Sequence, residues 1–308
     1  MMKEIVFDSV SGPGKKSVGY IFPVSEPKAT IQICHGMAEY IDRYQEMIKY
    51  LNDAGYTVCG IDMQGHGKTA SLNKEPLGFF GDKKDSYKTL MEDNLVFHDL
   101  VAKTTGQSPS ILYGHSMGSF VARAMYSVSR YSVNYDAFIF ASTKGPEPLA
   151  GLGLFVARFL CLIGRSKKSG GLLSVLSFGT YNKTIKDKKT NYDWLSVIDE
   201  NVKAYIDDPL CGFLFTNKGY YDLFRLVKFI QSKEAISGLS KKPCLFVYGD
   251  DDPVGSYGVG VKKVIDIFKA HEVPVESKDF GPYRHELMRE PIKDDYFQTV
   301  KEFVDKFN

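Results

Sequence analysis

Short apolar runs recur along this chain with amphipathic stretches between them, and that alternation limits the fold more than any other feature. Ala137–Ala141 reads AFIFA and Cys244–Tyr248 reads CLFVY; Ile31–Cys34, Thr57–Ile61, Ser110–Tyr113 and Val273–Phe280 are further strand-like runs. Apolar runs of this length suit strands covered on both faces. Between them, Tyr44, Met47, Ile48 and Leu51 share one helical face before Gly55, and Leu90, Phe97, Leu100 and Val101 keep helical spacing within 84–103. A third helical run covers 119–129. Strands separated by amphipathic helices make βαβ units, so an α/β fold with a mostly parallel sheet is expected. Lys3–Asp8 and Ser17–Phe22, joined through Gly12-Pro13-Gly14, are expected to form its antiparallel edge.

The alternation fails between 144 and 217, a stretch with Gly170-Gly171, many lysines and scattered aromatics. Because it lies between two core strands, it is expected as an inserted cap, with 1–143 and 218–308 forming the core. Its basic run, Lys183, Lys186, Lys188 and Lys189, reads as a solvated loop, with weak attraction to anionic lipid as the alternative. Over the whole 308 residues, 39 basic and 37 acidic side chains leave a net charge of +2, which gives no electrostatic reason for a nucleic-acid partner. The five cysteines (Cys34, Cys59, Cys161, Cys211 and Cys244) are odd in number and lack C-x-x-C spacing, so they read as small hydrophobes in a reducing compartment. Residues 1–10 lack the apolar core of a signal peptide, and Leu149–Gly164 is too short and too broken to span a bilayer. A cytoplasmic location is expected.

Gly114-His115-Ser116-Met117-Gly118 is a G-x-S-x-G pattern placed between a strand-like and a helix-like run. A nucleophilic serine needs a sharp, strained strand-to-helix turn, and flanking glycines let neighbouring elements approach. The helix N-terminus then directs N–H groups toward developing negative charge. A second N–H is expected from the loop His35-Gly36-Met37-Ala38-Glu39, so Met37 and Met117 are the candidate oxyanion donors. The general base must follow the serine in chain order. Of six histidines, His35, His66 and His98 precede it, and His115 is adjacent and points away. His271 ends a helical stretch, and His285 lies in the loop after the last strand. His285 is therefore the candidate base. Three consecutive aspartates follow CLFVY. Pro253 restrains Asp252 to an extended conformation, which favours it as the orienting acid over Asp250 and Asp251. Asp62-Met63-Gln64-Gly65-His66-Gly67 reads as a structural loop with His66 as a brace.

Together these segments, with Asp252-Pro253-Val254 and Arg284-His285-Glu286, resemble the monoacylglycerol lipase and lysophospholipase-like branch of the α/β hydrolases, often grouped with serine aminopeptidase domains. The resemblance covers essentially the whole chain. It implies an eight-stranded, mostly parallel sheet flanked by helices, an inserted helical cap, and a Ser116–His285–Asp252 triad acting through an acyl-enzyme without metal or cofactor. The chain departs from the family's frequent choices at Ala38 (glycine), Tyr40 (histidine), Gln64 (arginine) and Ser119 (glycine).

The expected reaction is hydrolysis of a monoacylglycerol or lysophospholipid-like carboxylic ester. Gly36, Ala38 and His115 border the expected pocket, and Phe155, Phe159, Phe178, Trp194 and Phe213 are its candidate cap residues. The apolar stretch Leu152, Leu154, Phe155, Phe159, Leu160 and Ile163 would either pack the cap on the core or wall an acyl chain and touch a membrane surface. The alternatives are an aryl (cinnamoyl-type) esterase, an aminopeptidase using Glu147, Asp193, Asp199 or Glu200 to hold an amine, and a non-catalytic binder. Dehalogenase or epoxide hydrolase chemistry is disfavoured, because those enzymes carry aspartate where Ser116 stands.

Overall fold

A computed structural model of the chain describes residues 1–106 and 108–308. The strands are β1 (Lys3–Asp8), β2 (Lys16–Phe22), β3 (Thr30–Cys34), β4 (Thr57–Asp62), β5 (Ser110–His115), β6 (Ala137–Ala141), β7 (Cys244–Tyr248) and β8 (Val275–Asp279). They form one sheet in the order β1-β2-β4-β3-β5-β6-β7-β8. β1 and β2 are antiparallel to each other, and β2 is antiparallel to β4; every other pairing is parallel. The expected antiparallel edge is present. The rest is the parallel sheet that the buried apolar runs called for.

Helices α1 (Gln45–Asp53), α2 (Gly67–Asn73), α3 (Tyr87–Thr105), α4 (Met117–Tyr126) and α5 (Ser129–Ser132) lie within the first half of the chain. α6 (Ala150–Leu160), α7 (Gly171–Phe178), α8 (Asp199–Asp207), α9 (Asn217–Ile230) and α10 (Lys233–Ser237) fall between β6 and β7. α11 (Val259–Ala270) and α12 (Lys293–Val304) flank β8. Strand periodicity sorts the core onto two faces. Phe138 and Phe140 of β6 join Phe97, Tyr126, Phe246 and Phe268 on one face. Ala137, Ile139 and Ala141 join Met47, Leu51, Tyr113, Tyr296 and Val300 on the other.

The loop expected after Asp62 contains α2. Its first turn is capped from a distance, since Asp62 Oδ2 accepts from the Lys68 N–H at 2.9 Å. Seven residues are too few to show a helical period, so this helix was not visible in the pattern. The edge strand β8 is shorter than the expected 273–280 and mostly exposed. Its exposed Glu276, Lys278 and Asp279 keep an open sheet edge charged.

α6 corrects one expectation. Its inward positions are the small Ala150, Gly153 and Ala157, and Gly153 meets the Phe224 ring of α9 so closely that a β-carbon would lie 2.6 Å from it. Helical spacing then turns Phe155 and Phe159 outward, where they are 70% and 55% exposed. Both side chains face away from α9.

Candidate active site

Strand β5 ends on His115 and α4 begins on Met117, so Ser116 alone makes the turn. Its φ is 52° and ψ −120°, a conformation that residues with a side chain rarely adopt. The surroundings hold it there. The Ser116 N–H donates to Ala141 O at 3.0 Å, and Ser116 O accepts from Ser119 N (2.9 Å) and Ser119 Oγ (2.5 Å). The two motif glycines are steric necessities. A β-carbon on Gly118 would sit 1.9 Å from Cys34 O, and one on Gly114 would sit 2.4 Å from Gly118 O. That contact presses the turn against the loop leaving β3.

The β3 loop is tied at several points. His35 Nε2 accepts from the Met63 N–H at 3.0 Å, which leaves Nδ1 protonated and facing Gly36 O at 2.8 Å. The Gly36 N–H donates to Glu39 Oε1, which also accepts from Tyr44 Oη at 2.6 Å. Ala38 takes φ 53°, and its carbonyl accepts from Gly212 N at 3.0 Å. The N–H groups of Met37 and Met117 donate to no protein group among the described residues. Both remain available, as an oxyanion hole requires.

On the acid and base side, Asp252 is fully buried and His285 is 2% exposed. Asp252 Oδ2 accepts from His285 Nδ1 at 2.9 Å, and Oδ1 accepts from the Val254 N–H at 2.9 Å. Because Nδ1 carries the proton, the neutral ring presents a basic Nε2. Asp251 is exposed, and Asp250 is half-buried with Lys262 Nζ 3.6 Å away. Of the three aspartates, the one before Pro253 meets the histidine. No hydrogen bond joins Ser116 Oγ to His285 among the described residues; such contacts commonly tighten when substrate binds.

A buried charge network behind the site was not foreseen. His115 faces Glu39 Oε1 with Nδ1 and the His285 carbonyl with Nε2, each at 3.3 Å. Both neighbours are acceptors, so the ring satisfies both only as an imidazolium. Burial opposes that charge, but Glu39 outweighs it and raises the His115 pKa. Burial also pushes Glu39 upward, and the hydrogen bond and charge of His115, with Arg43 and Tyr44, hold it well below the usual carboxylate range. Arg43 Nη2 in turn reaches both Glu286 oxygens at 2.9 Å. The residues flanking both candidate catalytic side chains are thus joined to the loop leaving β3. No spacing rule marks Glu39, Arg43 and Glu286 in the sequence, although two of them lie inside the motifs.

Of the expected cap residues, Trp194 lies 5.1 Å from the His285 ring, centroid to centroid, and Phe178 joins it through Tyr181, whose ring lies 5.1 Å from Trp194 and 5.3 Å from Phe178. The N–H groups of His285 and Glu286 donate to Trp194 O and Leu195 O. Phe213 stacks with Phe215 and sits 5.5 Å from His66. His66 is buried, and burial holds its pKa well below the ordinary value. Nδ1 faces Gln64 O at 3.1 Å and Nε2 is unpartnered, so it braces with one nitrogen. Among the described residues no cluster of three or more His, Cys, Asp or Glu could hold a metal.

Residues 25–292 match the family model described as serine aminopeptidase, S33. The chain belongs to this family of α/β hydrolases. It is 26% identical over 275 residues to a monoacylglycerol lipase from Mycolicibacterium smegmatis, covering 87% of this chain and 85% of that protein. It is 23% identical over 294 residues to the phospholipase YtpA of Bacillus subtilis, covering 94% of this chain and 99% of that protein. The crystal structure of a thermostable carboxyl esterase from Bacillus coagulans superposes with a TM-score of 0.92 at 28% identity, covering 99% of this chain and 98% of that one. This S33 hydrolase therefore groups with the esterases and lipases of the superfamily.

Proposed function

We propose that this S33 hydrolase cleaves carboxylic esters of the monoacylglycerol or lysophospholipid type through an acyl-enzyme on Ser116. The observation that carries the reading is the strained Ser116 turn, flanked by two unengaged N–H groups, with the Asp252–His285 hydrogen bond beside it. In this mechanism Ser116 Oγ attacks the ester carbonyl as His285 Nε2 takes its proton. Asp252 holds Nδ1–H and stabilises the imidazolium, and the Met37 and Met117 N–H groups receive the oxyanion. The C–O bond breaks, and the alcohol leaves with the proton from His285. Water, deprotonated by His285, then releases the acid and restores the serine.

Residues 144–217 are the cap in this reading. Its aromatic series Phe178, Tyr181 and Trp194 approaches His285 and supports an apolar acyl group. Its outer face carries Leu149, Leu152, Phe155, Phe159, Leu162 and Ile163, each between 51% and 75% exposed. A cluster of exposed apolar side chains, with the cationic Arg158 among them, suits contact with a lipid interface, where such substrates reside. The amine-binding alternative finds little support among its candidate carboxylates. Glu147 pairs with Lys144 at 2.9 Å, Asp193 is occupied by the backbone of Lys189 and Thr190, Asp199 pairs with Lys189, and Glu200 is exposed.

The test is fluorophosphonate labelling of wild type and Ser116→Ala, followed by hydrolysis of p-nitrophenyl esters of rising chain length beside monoacylglycerols, feruloyl esters and aminoacyl amides. Labelling is expected to vanish in Ser116→Ala, and esters with apolar acyl chains are expected to be preferred. Persistent labelling, or a clear preference for the amides, refutes the reading.

A further inference from the structure

Arg123 is a buried cation with no anion of its own among the described residues. It lies on α4, two turns beyond Ser116, and is 6% exposed. Nη1 donates to Lys144 O at 2.8 Å and reaches Thr143 Oγ1 at 3.4 Å, while the buried Nε has no partner. No acid lies near enough to counter its burial, which alone pulls the guanidinium down to about 10. Buried arginines are ordinarily paired, because the guanidinium loses its water and needs a replacement. One of five N–H groups held closely by a carbonyl does not supply it.

Arg123 lines a cavity of about 730 Å³ between α4, α9, α10, α11 and the loop entering α6. That volume lies within the roughly 300–1,000 Å³ of small-ligand sites. The walls are apolar, including Pro148, Ile230, Ile236, Leu239, Ile267 and Phe268. Two more cations, Lys228 and Lys263, line it and are solvent-exposed, and neither pairs with an acid among the described residues. The single acid on the lining, Glu147, is neutralised by Lys144 Nζ at 2.9 Å. Ser116, Asp252 and His285 are not on this lining.

We propose that this cavity is a second ligand site, taking an amphipathic carboxylate whose acid group pairs with Arg123 and whose hydrocarbon chain lies on the apolar wall. Guanidinium and carboxylate match geometrically and form charge-assisted hydrogen bonds, which are stronger than neutral ones. The proposal does not depend on which ester the enzyme hydrolyses. An acid released by ester hydrolysis would nevertheless belong to this ligand class.

The experiment uses full-length protein whose catalytic serine is blocked by a long-chain fluorophosphonate, titrated calorimetrically with laurate, with dodecanol and with inorganic phosphate. One laurate is expected per chain, with dodecanol and phosphate each at least about tenfold weaker. No stoichiometric laurate binding, or equal affinity for either comparator, overturns the proposal. Arg123→Met is expected to weaken laurate about tenfold or more, and unchanged affinity overturns the proposal. If Arg123→Met does not fold, Ile236→Trp serves instead, since it fills the cavity and leaves the charge in place. It is expected to abolish laurate binding, and wild-type affinity in that variant overturns the proposal.

Discussion

Asp252 differs from its two neighbours in burial and in partner, not in chemistry. It is fully buried with both oxygens engaged, whereas Asp251 is exposed and Asp250 approaches only Lys262. Asp252→Asn is therefore expected to lower kcat on a p-nitrophenyl ester by about 10³–10⁴-fold, because the amide favours the wrong histidine tautomer. Asp250→Asn and Asp251→Asn, which disturb at most a surface pair, should stay within about threefold of wild type. Full activity in Asp252→Asn would move the acid to a neighbour. Glu39 and His115 support a second prediction. Glu39 is lowered from 4.5, so its contribution to stability is present above that pH and lost on acidification toward its folded value. His115 is raised from 6.5, so its contribution is present below that pH and lost as pH rises through its folded value. The pair stabilises most between 4.5 and 6.5. Thermal midpoints of Glu39→Gln should fall furthest below wild type in that window, and the gap should narrow at higher pH. A gap independent of pH would mean that the pair is not ionised.

The helix after the serine binds the site together by backbone contact. α4 packs on β3, β5 and β6 as well as on α9, and at Gly118 no side-chain atom fits between α4 and the carbonyl of Cys34. Gly118→Ala must separate α4 from the loop leaving β3. It is expected to cost more than about 4 kcal/mol, at the extreme of single substitutions, and to leave little folded protein. Gly151 in α6 is the matched control, since a β-carbon there meets nothing within 4 Å. Gly151→Ala should stabilise by about 0.5–1 kcal/mol through helix propensity alone. Thermal or urea unfolding of both variants checks the contrast. Equal tolerance would show that the α4–β3 contact can relax.

At the scale of the whole molecule, exposed apolar side chains concentrate on α6, α7 and their connection. Lys183, Lys186, Lys188 and Lys189 are exposed in one loop, while the outer faces of α6 and α7 expose large apolar side chains, Leu162 at 75% and Val175 at 68%, beside the exposed Arg158, Arg165, Lys167 and Lys168. No helix among the described residues is long and apolar enough to cross a membrane. Contact with lipid would then be peripheral and governed by apolar area, on the order of 1.5–3 kcal/mol for each large side chain fully transferred. The double variant Phe155→Ser with Leu162→Ser should lower sedimentation with phosphatidylcholine vesicles by about tenfold or more. Turnover of a short, soluble ester should not change. Vesicle binding equal to wild type would remove the cap face from the proposed function.

Strands and their mostly parallel arrangement were legible because each rests on local chemistry, apolar runs and turn residues. AFIFA and CLFVY were found at their observed bounds for that reason. Pro253 acts on the backbone of the residue before it, so the preference for Asp252 was also local. Phe155 and Phe159 looked like pocket residues because an apolar side chain has the same identity inside or outside. Their exposure follows from Gly153 facing Phe224, a contact between helices 71 positions apart. The Glu39–His115 and Arg43–Glu286 pairs, with sequence separations of 76 and 243, depend on distances that no local pattern encodes. The isolation of Arg123 is of the same kind. An arginine in a sequence carries no sign of its partners, and only the packed chain shows that no acid reached it and that a cavity did.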